Sequence, residues 1–210
     1  QDRRATENAL APVVSALPTY GVDPTEGRIG WLHPPERLEV EGYMQYDYVN
    51  RYIATVVRDF VVSADITWNT STGLAGCGFV LRSDGKEEAA NQYLVIATRG
   101  GDGRVIFSAM VDGEVKNAVD HYAFGLDPAF EWRNDTTNRL TVVGRGRVFT
   151  LYTNATRLGE VVAGEPPRMP AIPPAPMQPP PGASSEVLAE YEGALQENQA
   201  IAEVIQANFR

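Results

Sequence analysis

Between residues 60 and 162 the chain changes register between apolar and polar every second residue, and this restricts it to half-buried strands. The clearest case is residues 60–68. Phe60, Val62, Ala64, Ile66 and Trp68 alternate there with Val61, Ser63, Asp65 and Thr67, the period of two that a strand with one buried face imposes. Further short segments with strand character follow at 76–82, 92–98, 105–111, 114–118, 139–143, 148–152 and 158–162. Turn chemistry separates them: Ser83-Asp84-Gly85, Gly100-Gly101-Asp102-Gly103, and a loop holding His121, Asp127-Pro128 and Trp132. Asp112-Gly113 is a two-residue hairpin signal, because both central positions of a type I′ turn need positive φ. Residues 38–48 alternate as well, with Leu38, Val40, Met44 and Tyr46 on one side, and are expected to form a first strand. Many short strands with glycine turns and little helix between them predict an all-β, antiparallel β-sandwich over residues 28–163.

Both ends differ from this texture. Residues 1–27 read as an N-terminal arm or short helix: Ala9, Leu10, Val13, Val14 and Leu17 fall at helical spacing, while Pro12 and Pro18 limit its length. Residues 164–183 are so rich in proline that neither a helix interior nor a central strand fits, which predicts an extended linker. In residues 184–210, Ser184 or Ser185 caps a helix whose apolar stripe is Leu188, Tyr191, Leu195, Ala202, Ile205 and Phe209, with Asn198 in line. That stripe is expected to dock, either on the chain's own sandwich or on another copy or protein.

With 210 residues, one core of ordinary size is expected. The 18 Lys and Arg against 27 Asp and Glu give a net charge of -9, the wrong sign for neutralising phosphates, so no nucleic-acid partner is expected. Cys77 is the sole cysteine, which excludes an intrachain disulfide and predicts a small buried apolar side chain. No apolar run reaches the roughly 18 residues of a membrane span. The start at Gln1 fits a removed leader peptide, and a secreted or cell-surface location is expected. Three Asn-x-Ser/Thr sequons, at Asn69, Asn134 and Asn154, sit beside turn-like residues and are candidate glycosylation sites.

The segments Gly76-Cys77-Gly78-Phe79-Val80-Leu81-Arg82, Asn91-Gln92-Tyr93-Leu94-Val95-Ile96, Val111-Asp112-Gly113-Glu114 and Asn138-Arg139-Leu140-Thr141-Val142-Val143, with residues 148–154, resemble the concanavalin A-like lectin/glucanase superfamily. The laminin-G-like and glycoside-hydrolase-16-like modules of bacterial secreted and envelope proteins are the nearest in pattern. The resemblance covers about half the chain and implies a jelly-roll sandwich, speaking for fold rather than function. Two departures stand out. Asn154 is followed by Ala155 where the family has Gly, so a longer last turn is expected. After Val162 the linker and helix stand where the family has its closing strands: either the helix is an insertion ahead of those strands, or they are missing and a sheet edge is open to a partner strand.

Glycosidases of that fold carry Glu-x-Asp-x-x-Glu or Glu-x-Asp-x-Glu on one strand, so that two carboxylates flank one bond. Neither pattern occurs here, and no hydrolase activity is expected. His33 and His121 lie far apart in sequence and form no metalloprotease motif. Asp102, Asp112, Asp120 and Asp127 could offer loop oxygens to Ca²⁺, but without EF-hand spacing no resident metal is expected. Carbohydrate binding needs aromatics beside polar groups on a sheet face, and alternation puts Asp65, Thr67, Arg82 and Tyr93 forward as ligand-binding candidates. Two readings result. One is an extracellular structural subunit whose arm and helix contact neighbouring copies; the other is a monomeric glycan- or ligand-binding module of a secreted or envelope protein.

Overall fold

The structure, a computed structural model, describes residues 2–30, 32–41, 47, 57–71, 75–86, 89–99, 103–121, 126–164 and 175–208. In chain order it contains helix α1 (Asp2–Ala16), a 3-10 turn (Leu17–Tyr20), strands β1 (Phe60–Thr67), β2 (Gly76–Leu81), β3 (Gln92–Thr98), β4 (Arg104–Val111), β5 (Glu114–Asp120), β6 (Thr137–Arg145), β7 (Val148–Thr153) and β8 (Thr156–Val162), and helix α2 (Ser185–Asn208). Each alternating segment from residue 60 onward is a strand. Two four-stranded antiparallel sheets result, in the orders β1-β6-β7-β8 and β2-β3-β4-β5. They fall in two compact units, Gln1–Asn69 with Phe124–Val161, and Thr70–Ala123 with Val162–Arg210.

The first unit is built around β6. Leu140, Thr141, Val142 and Val143 are all buried, so this strand is covered on both faces. On one face Ala64 stands opposite Leu140 and Val62 opposite Val142, and Val142 in turn faces Leu151 of β7. Phe60 pairs with Gly144 and lays its ring over it; a Cβ at position 144 would stand 2.7 Å from that ring. On the other face the arm supplies the cover. Tyr20 is buried with Val143 and Tyr152, and Ala16, Val22 and Val61 pack around them. The alternation in β1 signals a single buried face, and the arm provides a second cover that periodicity does not show.

The second unit is a plain meander. Edge strand β2 approaches β3 closely through its glycines: a Cβ at Gly78 would meet the Val95 carbonyl oxygen at 1.8 Å. Val95, Ala97, Val105 and Phe107 are buried. Cys77 is exposed on β2, contrary to expectation, on an edge strand that is exposed at Gly76, Cys77 and Gly78 alike. A jelly roll joins strands distant in sequence through two Greek keys. Among the described residues only β1 and β6 pair in that way, and every other pair is a consecutive hairpin.

Two turns show how local chemistry is read. Asp112-Gly113 has φ of 50° and 80°, as a type I′ hairpin requires. Asn154-Ala155 was expected to lie in a longer turn, but β7 ends at Thr153 and β8 starts at Thr156. The connection is again two residues, with φ of 44° and 73°. Asn tolerates the left-handed region because its short polar side chain bonds locally, whereas Ala155 carries a steric cost there. Ala155→Gly is therefore expected to raise stability by about 0.5–1 kcal/mol. A urea midpoint that shifts upward at unchanged m-value would check it.

Asp84 closes the β2–β3 loop. Its carboxylate accepts from the backbone N–H groups of Lys86 and Asn91 and from Asn91 Nδ2 at 2.9 Å. These bonds, led by the Asn91 side chain, hold its pKa at about 2. A depressed carboxylate contributes stability that is full above its unfolded value and lost as pH falls through its folded value. Amide-exchange protection at Asn91 is accordingly expected to hold at pH 4 and fall away toward pH 2. In Asp84→Asn it should be flat over that interval.

The N-terminal segment is helical through Pro12, and Gly21 at φ 66° stops the 3-10 turn by donating back to Pro18 O. Of the expected first strand at 38–48, residues 38–41 and 47 are irregular, and the remainder lies outside the described residues. Alternation alone does not make a strand; pairing does. The linker is irregular at 175–180, while 165–174 lie outside the described residues. Ser184 caps α2, accepting from Val187 N–H at 3.3 Å.

Candidate functional site

On the arm-covered face of the first sheet, cross-strand pairing sets Asp65 of β1 opposite Arg139 of β6. The guanidinium grips the carboxylate at both ends, Nε to Oδ1 at 2.7 Å and Nη2 to Oδ2 at 2.8 Å. One pair along, Thr67 and Thr137 share a hydroxyl hydrogen bond of 2.7 Å. In the other direction Ser63 and Thr141 do the same, and Thr141 Oγ1 donates onward to the buried Tyr20 hydroxyl at 3.3 Å. The face thus carries a ladder of polar cross-strand pairs from solvent into the covered region.

Beside this ladder lies an open cleft of about 370 Å³, lined by Asp65, Thr137 and Arg139 from the sheet, Asn154 and Ala155 from the β7–β8 turn, and Ala16 and Tyr20 from the arm. The rim is held from behind. Asn154 exchanges hydrogen bonds with the Arg139 backbone, accepting from its N–H at 2.8 Å and donating to its carbonyl at 2.9 Å. Its Nδ2 donates to Asp127 Oδ2 and Asn138 Oδ1, both at 3.2 Å. Asp127 and Asn138 are each 2% exposed, so the turn is anchored to the interior.

The Arg139 hydrogen bonds hold the Asp65 carboxyl below the usual carboxylate range, with burial opposing the shift. A carboxylate kept ionised is a poor general acid at neutral pH. The half-exposed ion pair and the threonine hydroxyls suit hydrogen bonding to a small neutral polar group.

The four ligand-binding candidates separate. Asp65 lines the cleft and Thr67 is the next outward-facing residue of the same strand. Arg82 and Tyr93 belong to the other sheet. Arg82 follows β2 with φ 50°, and Tyr93 is half-buried on β3, its ring 5.5 Å from that of Phe107. Arg139, Thr137 and Tyr20 complete the cleft and were not candidates. Only the register that sets position 65 against 139 exposes their role, and no sequence signal carries that register.

Among the Ca²⁺ candidates, Asp102 lies outside the described residues. Asp112 sits in its hairpin turn, Asp120 pairs with Arg104 at 3.8 Å, and the Asp127 carboxylate accepts from Ala129 N–H and Asn154 Nδ2. Among the described residues no three His, Cys, Asp or Glu side chains converge. Of the sequons, Asn69 is exposed with Nδ2 donating to Asp135 Oδ1 at 2.8 Å, Asn134 is half-buried, and the Asn154 amide is committed inward.

On α2, Val187 and Leu188 are exposed, while Tyr191, Leu195, Asn198 and Ala202 are half-buried. Ile205 lies in the helix but its side chain, like Phe209 as a whole, is outside the described residues. Among the described residues no strand or helix makes an extended contact with α2. None of the helices is long and apolar enough to cross a membrane among those residues. No family model matches the chain, and no curated protein or solved structure matches it either.

Proposed function

We propose that this chain is a non-catalytic structural subunit of an extracellular assembly, built on a lectin-like β-sandwich, with its N-terminal arm and C-terminal helix contacting neighbouring copies. The observation that carries the reading is α2. It spans 24 residues, and an isolated helix is marginal in water, drawing most of its stability from packing an apolar face. Its Val187 and Leu188 side chains are exposed, and among the described residues no strand or helix makes an extended contact with it. A second copy supplies a matching face at no further cost in design, since self-association repeats the same contact. The β-sandwich belongs to this proposal and draws on the two antiparallel four-stranded sheets. The extracellular setting draws support from the exposed sequon at Asn69.

Light scattering on the full chain, beside a version ending at Gly164, tests the reading. The full chain is expected to run as a multimer and the shortened one as a smaller species, with Leu188→Glu intermediate. Two monodisperse monomers would end the assembly idea.

The cleft favours a second reading, a small glycan ligand bridging Asp65, Arg139 and Thr137. A glycan array with Arg139→Ala as control addresses it: binding that Arg139→Ala abolishes supports the ligand role, and a blank array removes it.

A further inference from the structure

The arm meets the sheet through residues 16–22. Tyr20, 5% exposed, enters between Val143 and Tyr152, its ring 5.0 Å from that of Tyr152 in an edge-to-face arrangement. Its hydroxyl accepts from Thr141 at 3.3 Å, and Arg145 donates to the carbonyl of Gly21 just beyond. Upstream, Ala16 touches this cluster, but Val13 is exposed. Downstream, no helix or strand occurs among the described residues before β1. The plug and its socket are joined through residues 22–59, whose fully extended length is on the order of 125 Å.

We propose that the arm is an exchangeable plug: Tyr20 of one copy enters the Val61, Val143 and Tyr152 socket of a neighbouring copy. The inference rests on the assembly reading above. The contacts named above are local to residues 16–22 and the sheet, so they are reproduced unchanged when the arm comes from another chain. What opposes exchange is effective concentration. Being on the same chain keeps its own plug at an effective concentration of about millimolar, so an isolated chain in dilute solution stays closed. Copies held together through α2 face one another at comparable local concentration, and there the exchanged form competes. A socket that takes an aromatic tip, a hydroxyl and one carbonyl has no means of telling its own arm from a neighbour's.

The experiment uses a fluorescent peptide of residues 2–23 added to the full-length chain, read by anisotropy. Wild-type chain is expected to take up the peptide weakly, because its own arm competes. Tyr20→Ala chain, whose own plug is lost, should bind it at least about tenfold more tightly, by the same effective-concentration argument. A peptide carrying Tyr20→Ala should bind neither chain. Val22→Ser chain, altered on the arm and not in the socket, offers a milder release of the same arm, should Tyr20→Ala fail to fold. Failure of the wild-type peptide to bind either released chain, while that chain keeps a cooperative thermal transition, overturns the proposal. In that case a multimer that still depends on residues 165–210 shows that the assembly reading stands without the exchange. A full chain that is monomeric at all concentrations ends the assembly reading and exchange between copies with it, even where the peptide binds.

Discussion

Phe149→Ala is expected to cost about 3–5 kcal/mol, the largest effect of any single truncation in the first sheet. Phe149 is 0% exposed on β7, opposite Gly144, with its ring 6.3 Å from that of Phe60. Gly144 has no side chain to move into a void, and the Phe60 ring already lies on it. Leu140, Val142 and Leu151 around it are held by strand pairing and are themselves fully buried. The cavity therefore stays open instead of collapsing, and its lining loses dispersion contacts as well as the transfer term. For a chain of this size that corresponds to a fall in Tm of roughly 6–20 °C. Phe149→Leu, which keeps most of the volume, should lose less than half as much. A measured loss under about 1 kcal/mol for Phe149→Ala would show that this interior is not close-packed.

Asn138→Asp is expected to cost about 2–4 kcal/mol at neutral pH, although it changes one atom type. The Asn138 amide is the junction of the buried polar network behind the cleft. Nδ2 donates to Glu131 O at 2.7 Å, while Oδ1 accepts from Glu131 N–H at 2.9 Å and from Asn154 Nδ2 at 3.2 Å. A carboxylate keeps the acceptor but turns its other oxygen on the Glu131 carbonyl, and it places a charge near buried Asp127. Protonating the introduced carboxyl restores a donor, so burial raises its folded pKa above the unfolded one. The deficit relative to wild type should then shrink as pH falls through that raised value. Chemical denaturation at pH 7 and pH 4.5 distinguishes this from simple loss of packing, for which the deficit would be the same at both.

Both variants also bear on the cleft. Phe149 supports the sheet that carries Asp65 and Arg139, and Asn138 fixes Asn154 at the rim. A change in ligand uptake or in arm exchange is more informative in Asn138→Asp, because there the rim moves while the ion pair keeps its own strands.

The strands were legible because their signal is local. Residues 92–98 form β3 over the expected span, and the segment expected at 60–68 forms β1 from Phe60 to Thr67. Residues 38–48 carry a similar alternation, yet the described part is irregular. Alternation states that a segment could lie on a sheet; a neighbouring strand is needed to accept it. The Asn154-Ala155 turn was misjudged for a different reason. Alanine disfavours positive φ by only about 1–2 kcal/mol, and the Asn154 hydrogen bonds to Arg139, Asp127 and Asn138 outweigh that locally. Cys77 was expected inside because cysteine is often buried, but it stands on an edge strand flanked by glycines.

By itself, then, the sequence determined what depends on neighbours along the chain: period-two strands, the Asp112-Gly113 hairpin, the Ser184 cap and the proline-rich break before α2. The tertiary structure alone decided which strand faces which, and through that the whole candidate site. Asp65 and Arg139 are 74 residues apart, and Tyr20 reaches Thr141 across 121. Such contacts are fixed by strand register and by the return of the arm, which arise from the summed fit of many weak packing terms and leave no periodic trace at the positions they join.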